Sequence, residues 1–281
     1  MATSGVGGRI AKERVSGWTS RWLTDELSAL SKKGQWEAAL STFASVGLSN
    51  LVQPNTFHYT TVISGCGRSG KWDCALQLYS QMRKASVEPN QFTFSALIHA
   101  CSEGGKTDYA LKAYALMEVN HVPPNLHTIT AVVTACAKAG YWEKAIAVLD
   151  GAEALMISPN VMTYTAAMDG CRRVGKWTHA LALLGQMYST IDVRPNRVTW
   201  NTGLNACGAA GAWAPALLVY AGMRADGYRP QTFTQDCLEA AFADSHLSGS
   251  THDLLEMHIP ARKSPQMMQG EHGGDNDSTL H

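Results

Sequence analysis

Five cysteines recur at an almost constant spacing, and their thiols are the groups in this chain with the most obvious chemistry. They are separated by steps of 35, 35, 35 and 36 residues: Cys66, Cys101, Cys136, Cys171 and Cys207. Thiolates in register could bind metal ions or exchange electrons. None of the seven cysteines forms a CxxC pair, however, and no disulfide or zinc-ligand spacing is present. We therefore interpret the column as small, buried packing residues, since free cysteine is often buried.

Other columns run in phase with the cysteines and define a repeated unit. Glycines recur four residues after each cysteine, and each unit closes with proline followed by an amide: Asn55, Asn90, Asn125, Asn160, Asn196 and Gln231. A period between 20 and 50 residues is the signature of a stacked-repeat protein. The columns stay in phase over most of the chain, so the whole repeat body must share one architecture.

Two helices per unit must position these columns. In 56–90 the first helix is predicted over about 56–67, because Tyr59, Val62, Ile63 and Cys66 follow the spacing of one helical face. Gly70 provides a turn, and the second helix begins near Trp72 and ends before Pro89. One hairpin cannot bury its apolar face alone, so the units must stack. The sequence predicts an all-α fold, an α-solenoid with a concave face.

The register divides the chain into nine segments. We predict an N-terminal extension at 1–19, a degenerate capping unit at 20–55 and complete units at 56–90, 91–125, 126–160, 161–196 and 197–231. An incomplete unit follows at 232–246. Residues 247–281, rich in Gly, Ser, His and Asp, are predicted to be a disordered tail.

The unit resembles the pentatricopeptide repeat family in length and in its recurring residues. It opens like Val161-Met162-Thr163-Tyr164-Thr165, continues with Ala-Leu pairs such as Ala75-Leu76, has Met82 in the second helix and ends in Pro-Asn. The resemblance covers about 20–245. It implies a right-handed superhelix that binds single-stranded RNA, one base per repeat, in a mitochondrion or plastid. In repeats of this kind, two or three side chains of each unit specify one base.

The resemblance assigns base reading to the fifth and the last residue of each unit. The predicted pairs are Thr60 with Asn90, Ser95 with Asn125, Thr130 with Asn160, Thr165 with Asn196, and Asn201 with Gln231; Thr24 with Asn55 is a further pair in the degenerate unit. Adenine and cytosine present a bare ring nitrogen that needs a donor, which an amide supplies and an ionised carboxylate does not. Because an amide can flip, the preference for these bases is modest. The family pattern adds adenine for Thr or Ser with Asn and a pyrimidine for the last pair, so the expected target is A-rich.

Two more columns are expected to contact RNA. The resemblance implies that second-place side chains sandwich the bases, which assigns base stacking to Phe57, Phe92, His127, Met162 and Val198. Basic residues recur at the thirteenth place, where they would line the groove beside the phosphates: Lys32, Arg68, Lys138 and Arg173. An ordinary solvated helix end is the alternative interpretation of this basic column. The tryptophans that open the second helices are interpreted as packing residues.

The sequence is compatible with three functions. The first is a sequence-selective RNA binder without catalytic activity, a cofactor or a metal, acting as a monomer or with a protein partner in organellar RNA processing, stability or translation. The second is a protein-binding scaffold similar to tetratricopeptide repeats, which would need no amide column. The third is an enzyme with a targeting arm, but the H-x-E and P-C-x-x-C motifs of zinc deaminases are absent. We expect the chain to be non-enzymatic.

Composition and charge add little. The formal net charge is zero, so any electrostatic attraction to nucleic acid must be local. No apolar run reaches the roughly 18 residues that span a membrane, and residues 1–17 lack the apolar core of a secretory signal. That segment is small and slightly basic, which is a faint signal for organelle targeting.

Overall fold

Each predicted unit contains two helices joined by a short turn. The computed structural model describes residues 20–49, 52–190 and 193–242, and in these ranges it contains helices and no strands. The first helices of successive units are α1 (Ser20–Lys32), α3 (Thr56–Arg68), α5 (Gln91–Glu103), α7 (Leu126–Lys138), α9 (Val161–Arg173), α11 (Arg197–Gly208) and α13 (Thr232–Phe242). The second helices are α2 (Trp36–Ser49), α4 (Trp72–Lys84), α6 (Thr107–Val119), α8 (Trp142–Ala154), α10 (Trp177–Ser189) and α12 (Trp213–Ala225).

The glycine column ends the first helix of each unit. Gly70 has φ +68°, the left-handed conformation that glycine adopts without steric cost. The next residue, Lys71, donates its backbone N–H to the Cys66 carbonyl at 2.9 Å, so the turn satisfies a carbonyl of the last helical turn. Three second helices, α4, α6 and α8, end in the same way on a residue other than glycine: Ser86, His121 and Met156 have φ +56°, +53° and +58°. After Ser86, for example, the N–H of Val87 donates to the Met82 carbonyl at 3.0 Å.

The first helices pack closely against one another. A Cβ added to Gly67 would lie 3.1 Å from Cβ of Ala100, and one added to Gly170 would lie 3.0 Å from Cβ of Ala137, each on a neighbouring first helix. The core between the helices is apolar and continuous. Its fully buried side chains include Ile63, Ile98 and Met168. Burying these faces is the main stabilising term of the stack.

The layers are packed unequally, and this defines the inner face. The backbone of each first helix packs against the first helices of the adjacent units, whereas the backbone of each second helix packs against its own first helix and the first helix of the next unit. Within the described ranges, the backbones of second helices do not approach one another, and these helices meet only through side chains such as Trp72 and Tyr109, whose ring centroids are 5.5 Å apart. A stack that is tight in one layer and open in the other curves toward the tight layer, so the first helices line the concave side. The all-α solenoid prediction is confirmed.

Some predictions lie outside the described residues. The extension at 1–19 and the tail at 247–281 are in this group, and of the incomplete unit only residues 232–242 are described. Among the described residues, no helix is long and apolar enough to cross a membrane.

Candidate nucleic-acid interface

The asparagines that close the units cap the next first helix. Asn90 precedes α5 in an extended conformation, with φ −112° and ψ −178°, and its Oδ1 accepts the backbone N–H of Thr93 at 3.0 Å. The same bond forms at every first helix from α3 to α11, with Asn55, Asn90, Asn125, Asn160 and Asn196 as caps. The amide column therefore has a structural role in addition to any role in base reading.

The cap also fixes which end of each amide is already engaged within the protein. A backbone N–H can only donate, so the atom that it meets must be the amide oxygen. The hydroxyl of Thr93 donates to the same Oδ1 of Asn90 at 3.0 Å. With the oxygen engaged by two donors, the Nδ2 group of Asn90 is the end left for a ligand.

The fifth-place side chains lie beside these caps and are joined to them by one hydroxyl. Thr60 Oγ1 lies 2.7 Å from Thr93 Oγ1, and Thr93 is the third residue of the next unit. Equivalent contacts of 2.8 Å join Ser95 to Thr128, Thr130 to Thr163 and Thr165 to Thr199. The structure thus brings the two predicted readers of each of these four units together through a buried third-place threonine.

The outer pairs depart from this pattern. In the last complete unit Thr234 donates to Asn201 Oδ1 at 3.1 Å and accepts the backbone N–H of Gln231 at 3.2 Å, but the Gln231 side chain does not join the network. In the degenerate unit His58 replaces the threonine, and its Nε2 lies 3.1 Å from the hydroxyl of Thr24. Burial lowers the pKa of His58, which favours the neutral ring there.

The second-place side chains are exposed although most are large and apolar. Exposed fractions are 52% for Phe57, 66% for Phe92, 70% for Met162 and 62% for Val198, and His127 is also exposed. Packing within the fold does not explain a regular row of exposed apolar groups. Such a row is typical of an interaction surface.

Most of the predicted phosphate ligands have protein partners. Arg68 donates through Nη2 to the carbonyl and hydroxyl of Ser31, at 2.7 and 2.6 Å. Lys138 forms an ion pair of 2.7 Å with Glu103, whose pKa is lowered by this hydrogen bond.

The last basic position, Arg173, is paired in the same way. It donates to Asp169 at 2.7 Å, and Arg172 also binds that carboxylate. Burial tends to raise the pKa of Asp169, but the hydrogen bonds from both arginines outweigh it and lower the pKa. Among the described residues Lys32 forms no ion pair. The phosphate role stays a prediction, and an RNA strand would have to compete with a carboxylate for Lys138 and Arg173 and with Ser31 for Arg68.

Three lysines near the hairpin turn also have partners. Lys71 lies 5.1 Å from the ring centroid of Trp36, and Lys106 lies 5.2 Å from that of Trp72. In the same way, Lys176 lies 5.7 Å from the ring centroid of Trp142. The tryptophans are half-buried contacts between units, and cation–π attraction holds the lysines over them.

The cysteine column is chemically inert in this fold. All five register cysteines are fully buried, which raises the pKa of Cys66 to about 12 and those of Cys101, Cys136, Cys171 and Cys207 to about 11. The thiols are therefore protonated near neutral pH, whereas the thiolate is the reactive form. No cluster of metal-ligand side chains occurs among the described residues.

The third-place threonines are the residues that the sequence interpretation missed. Thr93, Thr128, Thr163, Thr199 and Thr234 recur in register and are buried. Each lies three residues after a closing amide, at the position whose side chain can bond back to the cap residue, and this reciprocal bond forms at Asn90 and Asn196. Reading the Asn-x-x-Thr spacing as a cap would have located them.

Comparisons with solved structures place the chain among helical-repeat proteins. The pentatricopeptide repeat protein PPR10 from maize is 31% identical with a TM-score of 0.65, over 81% of this chain and 32% of that one. The pentatricopeptide repeat domain of Arabidopsis thaliana protein-only RNase P 1, solved with tRNA, is 21% identical with a TM-score of 0.57, over 64% and 95%. Nuclear protein-only RNase P 2 of Arabidopsis thaliana is 19% identical with a TM-score of 0.56, over 66% and 41%. The chain thus spans about a third of the length of maize PPR10.

Family models agree with these structures. The PPR repeat family matches residues 54–103, the pentatricopeptide repeat domain matches 92–139 and 147–210, and the PPR repeat matches 127–152. No curated protein matches the chain. The matched segments run without a break from 54 to 210, over the units whose helices and caps are described above. The chain belongs to the pentatricopeptide repeat family.

Proposed function

We propose that the chain binds single-stranded RNA along its concave face and reads one base with each unit. One observation carries the proposal. Four consecutive units repeat the same set of fifth-place hydroxyl, third-place hydroxyl and last-place amide, each beside an exposed second-place side chain. A polar set that recurs once per unit suits a ligand that is itself repetitive, and helical repeats of this family read RNA in that way.

The orientation of the amides supports a preference for adenine or cytosine. The Oδ1 atoms of Asn90, Asn125, Asn160 and Asn196 are engaged by the next helix, so these side chains offer Nδ2 as a donor. Adenine and cytosine present a bare ring nitrogen that accepts such a bond, while guanine and uracil present a ring N–H. The family pattern then favours an A-rich run, followed by a pyrimidine at the last unit, read 5′ to 3′ from the N-terminal end.

The exposed second-place row supplies the non-polar part of binding. Aromatic side chains such as Phe57 and Phe92 can stack on bases, and each stacked base is worth about 1–3 kcal/mol. Met162 and Val198 offer apolar contacts to a base but no aromatic ring to stack on it. We expect the N-terminal half of the array to contribute more stacking than the C-terminal half.

We further propose that the chain acts by occupying its RNA site. It would block nucleases or RNA structure, or recruit an enzyme, within a mitochondrion or plastid. Thr, Ser and Asn dominate the described concave positions, and we assign them to binding and not to catalysis. A short array is expected to bind with modest affinity, so a protein partner is part of this proposal.

Binding to labelled oligoadenylate and oligouridylate of equal length tests the proposal. Fluorescence anisotropy should show tighter binding to oligoadenylate, with an affinity that falls as salt rises. For single strands the slope of log affinity against log salt is about −0.7 per phosphate neutralised, so two to four contacts give about −1.4 to −2.8. Equal binding to both RNAs would contradict the base assignment. A salt-insensitive interaction would point to a protein-binding scaffold instead.

A further inference from the structure

The third-place threonines lie between the two predicted base readers but cannot touch RNA themselves. Thr93, Thr128, Thr163 and Thr199 are fully buried. Each has its hydroxyl within hydrogen-bond distance of a fifth-place hydroxyl on one side and a closing asparagine on the other. Their position allows them to determine whether the fifth-place hydroxyl and the closing amide donate or accept hydrogen bonds toward the groove.

The direction of the hydrogen bonds follows from the backbone. The N–H of Thr93 meets Oδ1 of Asn90 at 3.0 Å, which identifies that atom as an acceptor. Thr93 Oγ1 is also 3.0 Å from Oδ1, so the proton between these two oxygens must come from Thr93. A hydroxyl has one proton, and the contact of 2.7 Å between Thr60 and Thr93 must therefore use the proton of Thr60. The oxygen of Thr60 is left only as an acceptor toward the groove.

We propose that Thr93 and Thr128 are specificity-determining positioning residues, because they hold Thr60 and Ser95 as hydrogen-bond acceptors toward RNA. The inference rests on the proposed function. With the amide donating to the ring nitrogen, an accepting hydroxyl suits the exocyclic amino group of adenine or cytosine. It opposes the carbonyl oxygen of uracil, because two acceptors then face each other. The hydroxyl and amide of one unit thus select the same bases.

The chain contains its own control for this effect. The hydroxyl oxygen of Thr130 also lies 2.8 Å from the Leu126 carbonyl oxygen, and that of Thr165 lies 2.7 Å from the Val161 carbonyl oxygen, so the single proton of each hydroxyl has two acceptors in reach. These two hydroxyls keep an internal acceptor when the third-place hydroxyl is removed. Thr60 and Ser95 form no such bond to a carbonyl within the described structure. When the third-place hydroxyl is removed, the protons of Thr60 and Ser95 therefore become free to point toward the groove, whereas those of Thr130 and Thr165 do not.

Two double substitutions give the test. T93V/T128V and T163V/T199V each remove two buried hydroxyls with little change of shape and weaken two equivalent caps. The preference for adenine over uracil is measured at the two bases that face the altered units. It should fall about fivefold per base in T93V/T128V, which is the factor that one neutral hydrogen bond is worth. It should change less than about twofold in T163V/T199V. The conservative T93S/T128S variant should restore the wild-type preference.

The outcomes separate this inference from the function on which it rests. Equal losses of preference in both double variants, or an unchanged preference in T93V/T128V, would overturn the role of the third place. A wild-type chain without any adenine preference would instead contradict the proposed base assignment, and the inference with it. Thermal unfolding of each variant checks the fold, and the single variants T93V and T163V give the same contrast at a smaller cost in stability.

Discussion

Replacing Asn90, Asn160 and Asn196 by Asp is expected to move the base preference from adenine toward guanine. Asp caps a helix as well as Asn does, so one carboxylate oxygen should keep the bonds from Thr93 and its equivalents. The other oxygen then replaces a donor by an acceptor, which opposes the bare nitrogen of adenine and accepts the ring N–H of guanine. Guanine also has an amino group beside that N–H, which suits the accepting fifth-place hydroxyl.

The expected change is large because three units act together. Each exchange of donor for acceptor is worth about 1–3 kcal/mol, so the ratio of adenine to guanine affinity should change roughly a hundredfold or more. Competition binding with RNAs that differ only at the three facing bases measures this ratio. The matched control replaces Gln77, Gln81 and Gln186 by Glu; these exposed residues of the second helices undergo the same charge change away from the groove. A preference that stays with adenine, or that moves equally in the control, would count against base reading by the amides.

Phe94→Ala is expected to destabilise the fold by about 3–5 kcal/mol, whereas Phe92→Ala should leave stability almost unchanged. The two residues are two positions apart in α5, but Phe94 is 0% exposed and Phe92 is 66% exposed. The ring of Phe94 packs against Tyr79 with centroids 5.8 Å apart, so its removal opens a cavity between two units. Urea unfolding followed by helical circular dichroism measures both changes.

For RNA binding the order of the two variants should be reversed, with the larger loss in Phe92→Ala. Phe92→Ala removes one stacking surface and should cost about 1–3 kcal/mol of binding free energy, a loss of roughly 5- to 150-fold. Phe94→Ala, measured where it remains folded, should bind nearly as well as the wild type. Each variant is thus the control for the other. Equal losses of stability in the two variants would contradict the assignment of Phe92, a second-place residue, to the RNA face and of Phe94 to the core. Tighter RNA binding by Phe92→Ala than by Phe94→Ala would contradict it as well.

Local sequence signals predicted the elements of the fold well. The first helix of 56–90 was expected over about 56–67 and spans Thr56–Arg68, and the second starts at Trp72 as expected. Gly70 adopts the left-handed conformation that the turn requires. These features depend on short-range patterns, such as helical spacing, a helix-ending glycine and proline, and they repeat often enough for the register to be unambiguous.

Contacts between neighbouring units could not be predicted from the sequence pattern of a single unit. Lys138 and Glu103 pair across 35 residues, and Arg68 reaches Ser31 across 37, because the stack brings equivalent places side by side. The basic column therefore looked more available to phosphates than it is in the free protein. The amide column looked free to flip for the same reason, although the backbone N–H of the next helix holds each oxygen.

Selection of bound sequences from a random RNA pool tests the central claim most directly. The claim is that four units from Thr60 to Asn196 each place an amide donor and an accepting hydroxyl before one base. The selected RNAs should share a run of adenines, with cytosine as the tolerated substitute, followed by a pyrimidine on the 3′ side. A pool enriched in uracil or guanine, or one without any common motif, would contradict this account of the interface.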